Sequence, residues 1–328
     1  MEQSGQQNEN GYMKYSVLMP VYHKENPEYF YQAAASMMNQ TIPPDEFVLV
    51  CDGPLTPGLD ETVQTIDREW PGVLQVLRLP VRGGIAQALA AGVEVCRNEW
   101  IARMDSDDIA CPDRCEKQLR RYAEEAAVRS SGKKAEPGEL GLLSGKIAEF
   151  TTAEAVPAQE NLDNLNAPDR NEIGSEMKEK LPFPGRITGI RALPCQYDEI
   201  LTFAKKRNPM NHMAVMMRRS AVLAAGNYHP VSGAEDYELW VRLLQAGYRA
   251  ENLPDILVYA RTDNGMIKRR GGLSYARAAL NLQKTFFKNG FLNRREYLRN
   301  CLIRVTASLV PASVRQILYQ KKLRGTLS

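Results

Sequence analysis

The chain has 328 residues, 44% of them apolar and 25% charged, a globular composition that suits one large α/β domain or two modest ones. No window holds eighteen consecutive apolar residues, which argues against a spanning helix, and the polar, acidic start MEQSGQQNENGYMK lacks the basic and apolar regions of a signal peptide, so residues 1–13 are expected to be a disordered lead-in. The net charge of +3 is unevenly spread: Arg261 to Ser328 carries 15 Lys+Arg against 2 Asp+Glu, a balance of +13 that leaves −10 on the first 260 residues, and a basic tail on an acidic body points to an anionic partner.

In chain order, YSVLMPVY (Tyr15 to Tyr22) is an apolar run of strand type, followed by a helical pattern in NPEYFYQAAASMMNQ. DEFVLVCDG is a second buried strand ending in Asp52-Gly53, LDETVQTIDREW a helix, and LQVLRLP a third strand. GGIAQALAAGVEVC is an Ala-rich helix opened by two glycines, and EWIARMDSDD a fourth strand that delivers three carboxylates, Asp105, Asp107 and Asp108. This β-α-β-α-β-α-β alternation predicts a parallel sheet covered on both faces. PDRCEKQLRRYAEE reads as helix, SSGKKAEPGE as loop, LGLLSGKIAEF as strand, and the patternless stretch 151–185 as a flexible loop. Beyond it, YDEILTFAKKR is a helix, HMAVMMRRS a short strand leading into SAVLAAGNY, and GAEDYELWVRLLQAG a helix beginning at an acidic pair. YRAENLPDILVYAR reads as two short strands, and the tail from Gly272 as helical. The six cysteines form no CxxC pair and have no histidine near them, which favours reduced thiols over a zinc site.

Ligands of such sheets bind at the carboxyl ends of the strands, which puts Asp52 and the acidic cluster on one edge. Asp-x-Asp after a strand can hold Mg2+ or Mn2+, hard cations that prefer carboxylates and share their remaining positions with water and substrate phosphates. Alternatively, Asp107 or Asp108 caps the next helix. Asp52 is either a turn former or an acceptor for a base N–H or a ribose hydroxyl. RGGIAQAL can aim backbone amides at phosphates from a helix start, with Arg82 facing a diphosphate or simply solvated. Glu235 and Asp236 are either helix-start carboxylates favoured by the dipole or a general base. His212 is either structural or a residue that helps bind substrate or metal.

The set SVLMPVY, LVCDG, GGIAQALAAG, RMDSDD and EDYELWVRL, in that order, resembles the family 2 glycosyltransferases, whose GT-A fold is α/β, with a Rossmann-like, mostly parallel central sheet flanked by helices. The resemblance covers residues 14–262 and leaves 263–328 as a basic helical C-terminal extension. RNPMNHMAVMMRRSAVLAAGNY and KRRGG are similar to stretches of bacterial members that build capsular, exopolysaccharide or lipopolysaccharide O-chain repeats. The resemblance implies that Pro20, Val21 and Tyr22 line the nucleotide pocket and that Asp52 contacts the nucleobase, usually uracil. Gly84 and Gln87 fall on the nucleotide side, with Arg82 just before them where the family commonly has Asn. It further implies that Asp105 faces the ribose or diphosphate, that Asp107 with Asp105 holds Mn2+ or Mg2+, and that Asp108 supports that site. Asp236 is the implied catalytic base, with Glu235 next in line, and Trp240 matches a downstream aromatic near the acceptor, on the side where His212 is also expected. The activity implied is inverting transfer from a nucleoside-diphosphate sugar, with UDP the expected nucleotide, to a glycan or lipid-linked glycan.

Two other readings stand beside it. A metal-dependent sugar nucleotidyltransferase normally needs a glycine-rich basic loop near its N-terminus, and PVYHKENPEY is not one. A membrane-docked scaffold that binds a nucleotide sugar without turnover would have no need of both carboxylate clusters. In the tail, CLIRVTASLVPASVRQILYQKKLR spaces apolar residues along one helical side with cations elsewhere, and Pro311 splits it. Such a segment suits an anionic membrane surface and places the protein in the cytoplasm at the inner face of the cell membrane; the alternative is a helix packed on the catalytic domain. No aromatic stacking platform accompanies the charge, so nucleic acid is not expected as a partner.

Overall fold

A computed structural model describes residues 7, 11–131, 138–152, 185–231, 233–262 and 273–309. Most of the expected lead-in, residues 153–184 of the loop expected over 151–185, KRRGG and the tail from residue 310 lie outside the described residues, and Thr151 belongs to a strand. The first strand, β1 (Tyr15–Val21), is buried along its whole length, as is β2 (Glu46–Cys51); a strand covered on both faces reads as a continuous apolar run. Between them, α1 (Pro27–Met38) starts at Asn26, whose side chain accepts from the Glu28 and Tyr29 amides, with proline at the first helical position. Next come α2 (Pro57–Glu69), β3 (Leu74–Arg78), α3 (Ile85–Val95) and β4 (Trp100–Arg103). These four strands are parallel in the order β3-β2-β1-β4.

The chain continues through β5 (Ile109–Ala110), α4 (Arg114–Ser130), β6 (Leu140–Thr151), β7 (Arg186–Arg191), α5 (Tyr197–Ala204), a 3-10 turn (His212–Ala214), β8 (Met216–Arg218), α6 (Arg219–Ala224), α7 (Glu235–Gln245) and β9 (Arg249–Arg261). The sheet extends as β4-β8-β6-β9-β5, with β7 on β6. β8 runs antiparallel to both its neighbours, while β6 and β9 run with the first four strands. The sheet is thus mostly parallel, with short antiparallel strands at its seam and edges. The short strand expected in HMAVMMRRS is β8, preceded by a 3-10 turn. One expectation is corrected. The two strands expected around Pro254 are one strand of 13 residues. The pairing steps from Gly145 opposite Leu253 to Lys146 opposite Ile256, so the ladder passes over Pro254, which has no N–H to give it.

One face of the sheet packs α1, α2 and α4 through Phe30, Met37, Ile66 and Leu119. The other packs α3, α6 and α7 through Leu89, Val222 and Trp240. The basic tail begins as α8 (Leu273–Lys288) and α9 (Arg294–Leu309). Phe286 of α8 is buried edge-on against Tyr237, with ring centroids 4.9 Å apart, which joins α8 to the second core.

Candidate active site

The adjacent carboxyl ends of β2, β1 and β4 assemble the site. At the end of β2, the Asp52 amide donates to the Val21 carbonyl at 2.8 Å. Its buried carboxylate accepts from the Gly83 amide at 2.7 Å and from the Gly84 amide at 3.1 Å, with Arg82 Nε 3.9 Å away. Asp52 therefore fastens the 82–84 loop to the sheet edge with the two amides that the sequence offered to phosphates. Gly53 makes the approach possible: its φ is +84°, and a Cβ there would lie 2.9 Å from the Arg82 nitrogen. Gln87 folds over Gly83, and the exposed Arg82 guanidinium stands 5.1 Å above the Tyr22 ring. Tyr22, Asp52, Arg82, Gly84 and Gln87 are thus neighbours, with the buried Pro20 and Val21 of β1 beneath them.

The three aspartates after β4 have separate surroundings. Asp105 is partly exposed and accepts from Arg103 Nη2 at 2.5 Å. Asp107 is half-buried, and its carbonyl accepts from Arg261 Nε at 3.0 Å. Asp108 is buried and accepts from the Arg261 amide at 2.8 Å. Burial, then the charges of Asp107 and Asp105, hold the Asp108 carboxyl well above the usual carboxylate range. Arg261 lies 3.7 Å from the Tyr29 ring centroid and 4.7 Å from that of Phe150, and also donates to Gln32 Oε1. Arg103 and Arg261 are the cations that make the cluster tolerable. Helix α4 starts only at Arg114, with Asp113 at its cap position, so neither Asp107 nor Asp108 caps it.

Among the described residues, no group of three or more His, Cys, Asp or Glu side chains is arranged to hold a metal. Asp107 and Asp105 offer two carboxylates at a solvent-reached edge. That donor set fits Mg2+ or Mn2+, which bind through one or two carboxylates and complete their shell with water and phosphates.

Across the site, α7 opens with Glu235 and Asp236. Asp236 Oδ2 accepts from Asn208 Nδ2 at 2.5 Å, and Oδ1 from the Tyr237 amide at 2.7 Å. Burial raises the Asp236 pKa, while the Tyr237 amide, Asn208, Arg103 and Arg191 pull the other way. The Glu235 pKa is raised by burial and then by Asp236. His212 Nδ1 is 4.0 Å from Asp236 Oδ2, and its Nε2 is 3.0 Å from the Tyr228 hydroxyl. Burial and Arg103 drive the His212 pKa well below its usual value, so the ring is neutral. Trp240 is fully buried and meets His212 edge-on at 5.7 Å. Its place five residues into an amphipathic helix turns it to the core, behind His212.

The two halves meet at Arg103. Its side chain is 1% exposed, it is bonded to Asp105, and its charge acts on His212, Tyr228, Glu235 and Asp236. The buried Arg114 side chain donates to the Arg103 carbonyl at 2.7 Å and to the Val215 carbonyl at 3.2 Å, which fixes the end of β4 against β8. Sequence reasoning missed Arg103, Arg114, Asn208 and Arg261. The one signal available was an arginine inside a strand that otherwise reads as buried.

Residues 16–145 match the family model described as "Glycosyl transferase family 2". The chain is 36% identical over 312 residues to an uncharacterized glycosyltransferase of Haemophilus influenzae, covering 95% of this chain and 100% of that one. It is 32% identical to the amylovoran biosynthesis glycosyltransferase AmsE of Erwinia amylovora, over 95% and 100% of the two chains. With the UDP-Gal:alpha-D-GlcNAc-diphosphoundecaprenol beta-1,3-galactosyltransferase of Escherichia coli it shares 27% identity over 96% and 98%. Among solved structures, S. aureus TarS 1-349 in complex with UDP-GlcNAc superposes with a TM-score of 0.55 at 16% identity, covering 95% of this chain and 77% of that one. The chain spans 46% of the longer TarS chain. The mannosyltransferase PcManGT from Pyrobaculum calidifontis, in complex with GDP-Man and Mn2+, superposes with a TM-score of 0.53 at 16% identity, over 94% and 81%. At these identities the likeness to solved structures speaks for the fold alone.

Proposed function

The chain belongs to glycosyl transferase family 2 with a GT-A fold, and on that premise we propose that it moves a hexosyl or N-acetylhexosaminyl group from a UDP-linked donor to a hydroxyl of a lipid-linked glycan during surface polysaccharide synthesis, with inversion at the anomeric carbon. The observation that carries this reading is the meeting, around Arg103, of the strand-end acidic loop and the buried carboxylate pair of α7. Family membership removes the nucleotidyltransferase alternative. The relatives' names support the polysaccharide setting, a diphosphoundecaprenol-linked acceptor and a UDP-linked donor. A lipid-linked acceptor sets the reaction at the inner face of the cell membrane.

In this reading Tyr22, Asp52, Arg82, Gly84 and Gln87 receive the nucleoside, and Asp105 lies toward the ribose and diphosphate. Mn2+ or Mg2+ held by Asp107, with Asp105, would neutralise charge on the departing diphosphate. Asp236 accepts the proton of the acceptor hydroxyl, and that oxygen attacks the anomeric carbon from the face opposite the leaving group. A carboxyl whose pKa is raised is the stronger base once ionised, which suits it to this step. Neutral His212, beside Asp236, adds no positive charge against the proton being taken. Glu235 is the second carboxylate of the pair and shares the negative field.

Replacing the base tests the assignment. Asp236→Asn is expected to lower turnover by about 10² to 10⁴ while donor binding, measured by calorimetry, stays near that of the unaltered protein. Near-normal transfer by this variant removes Asp236 from the role.

A further inference from the structure

Helix α9 is built inside out for a surface helix. Its inner side is polar and tied to the body: Lys205 Nζ pairs with Glu296 at 3.1 Å, Asn300 Nδ2 donates to the Lys205 carbonyl at 2.7 Å, and Arg304 Nη2 to the Lys206 carbonyl at 3.3 Å. Its outer side is apolar. Leu298, Leu302 and Ile303 are 56%, 66% and 56% exposed, and Val305 is exposed as well. Leu298, Leu302 and Val305 recur at i, i+4 and i+7, so they form one stripe. Arg294, Arg295 and Arg299 are exposed beside the stripe. A surface helix normally buries such residues; here Asn300 is buried and Tyr297 stacks on Phe287 of α8, while the leucine stripe faces out.

We propose that the outer face of α9 docks the protein on an anionic lipid bilayer; the proposal rests on the reading that the acceptor is lipid-linked. Leucine side chains seated at the acyl boundary gain from removal from water, while the long arginine side chains reach back to headgroup phosphates. The charge is complementary: the sequence after α9 adds Arg315, Lys321, Lys322 and Arg324, and cations near an anionic leaflet are attracted by it. A second copy of the chain would set this cationic face against itself. The anchoring explains why docking belongs here and not elsewhere. The carbonyls that hold α9 are those of Lys205 and Lys206, close in sequence to Asn208, which donates to Asp236. Helix α9 is thus anchored to the chain segment that also supplies the hydrogen-bond partner of the base. Among the described residues no helix is long and apolar enough to cross a membrane, so attachment through them is to the surface.

The test uses the full chain with vesicles of phosphatidylglycerol and phosphatidylcholine, and with phosphatidylcholine alone, read by co-sedimentation. Leu298→Ser/Leu302→Ser and Arg295→Gln/Arg299→Gln alter exposed side chains only. Each pair is expected to lower the apparent affinity for the anionic vesicles about tenfold or more, given the strength of single basic residues at such surfaces. The unaltered chain is expected to bind anionic vesicles and to release from them as salt rises. Transfer to a water-soluble acceptor is expected to be unchanged in both variants, while transfer to a lipid-linked acceptor in vesicles falls. The proposal is overturned if both variants bind like the unaltered chain, or if only neutralising Arg315, Lys321, Lys322 and Arg324 releases it. Loss of self-association in the variants, seen by sedimentation velocity, likewise overturns it in favour of a homo-oligomer. Failure of the unaltered chain to transfer sugar to either acceptor would instead count against the enzymatic reading and leave the vesicle result standing.

Discussion

Asp236 is a carboxylate whose strength is set by its neighbours. Burial raises its pKa; the Asn208 amide, the Tyr237 N–H, and the charges of Arg103 and Arg191 lower it. Glu235 precedes it in sequence, its own pKa raised by burial and then by Asp236, and His212 stands beside Asp236 as a neutral ring. A base must be ionised to act, so transfer should fall as pH drops through the raised Asp236 pKa. Asn208→Ala removes a hydrogen bond made to the ionised form, so the acid limb of kcat/KM is expected to move to higher pH. The neutral-pH plateau should change less than the acidic arm. A pH–rate profile for both proteins checks this, and a limb that stays put or moves to lower pH removes Asn208 from the control of the base. At this scale the sequence offered Asp236 as a motif position with capping as its rival. The structure shows an N-cap at Ala234 without a side-chain bond and an Asp236 committed to Asn208, 28 residues away. No local pattern announces a partner at that distance.

At the scale of elements, helix α3 determines how closely the 82–84 loop approaches the sheet edge. It crosses β1 and β2 at Gly92, where an added Cβ would lie 2.3 Å from Leu18 Cδ1 and 2.9 Å from Val50 Cγ2. Both neighbours are fully buried strand side chains and have little room to swing away. Gly92→Val should therefore cost about 1–3 kcal/mol through overpacking, seen as a fall of several degrees in Tm. It should also weaken donor binding, because α3 starts at its cap residue Gly84 and carries Gln87 in its first turn. A melting temperature equal to that of the unaltered chain would mean that α3 does not need this close crossing. The strands β1, β2 and β4 were legible because burial on both faces writes continuous apolar runs. β8 was legible as a short strand without its bounds, since three residues carry little pattern, and β9 was split in the reading because Pro254 looks like a strand end. The partner strand β6 decides otherwise by tolerating a bulge.

For the molecule as a whole, the acidic loop and the nucleotide side have to act as one site. A nucleoside diphosphate that shares a divalent ion with Asp107 binds more tightly when the ion is present. Adding UDP with Mn2+ is expected to raise Tm more than UDP alone, since ligand at about a hundred times its Kd stabilises by about 2.7 kcal/mol. Asp107→Asn should abolish the manganese-dependent part and keep the rest. Equal shifts with and without manganese in the unaltered chain would remove the metal from the proposal. The basic tail divides along the same line between sequence and structure. Its charge and helical character were readable, but α8 joins the second core while α9 turns its apolar stripe outward. Helical periodicity reports that a stripe exists, and only the neighbours determine whether it is covered.

The sequence by itself determined the parallel β-α order of the first hundred residues, the delivery of Asp52 and of Asp105 to Asp108 at strand ends, and the acidic start of α7. These are local properties, set by apolar runs, turn residues and spacing. The tertiary structure alone decided that Arg103 stands between the two carboxylate groups, that Arg261 grips the acidic loop from 153 residues away, and that Trp240 supports His212 from behind. Those arrangements depend on strand order and register, through which residues distant in the chain come to face one another in a buried space where every charged group must find hydrogen-bond partners or a counter-charge.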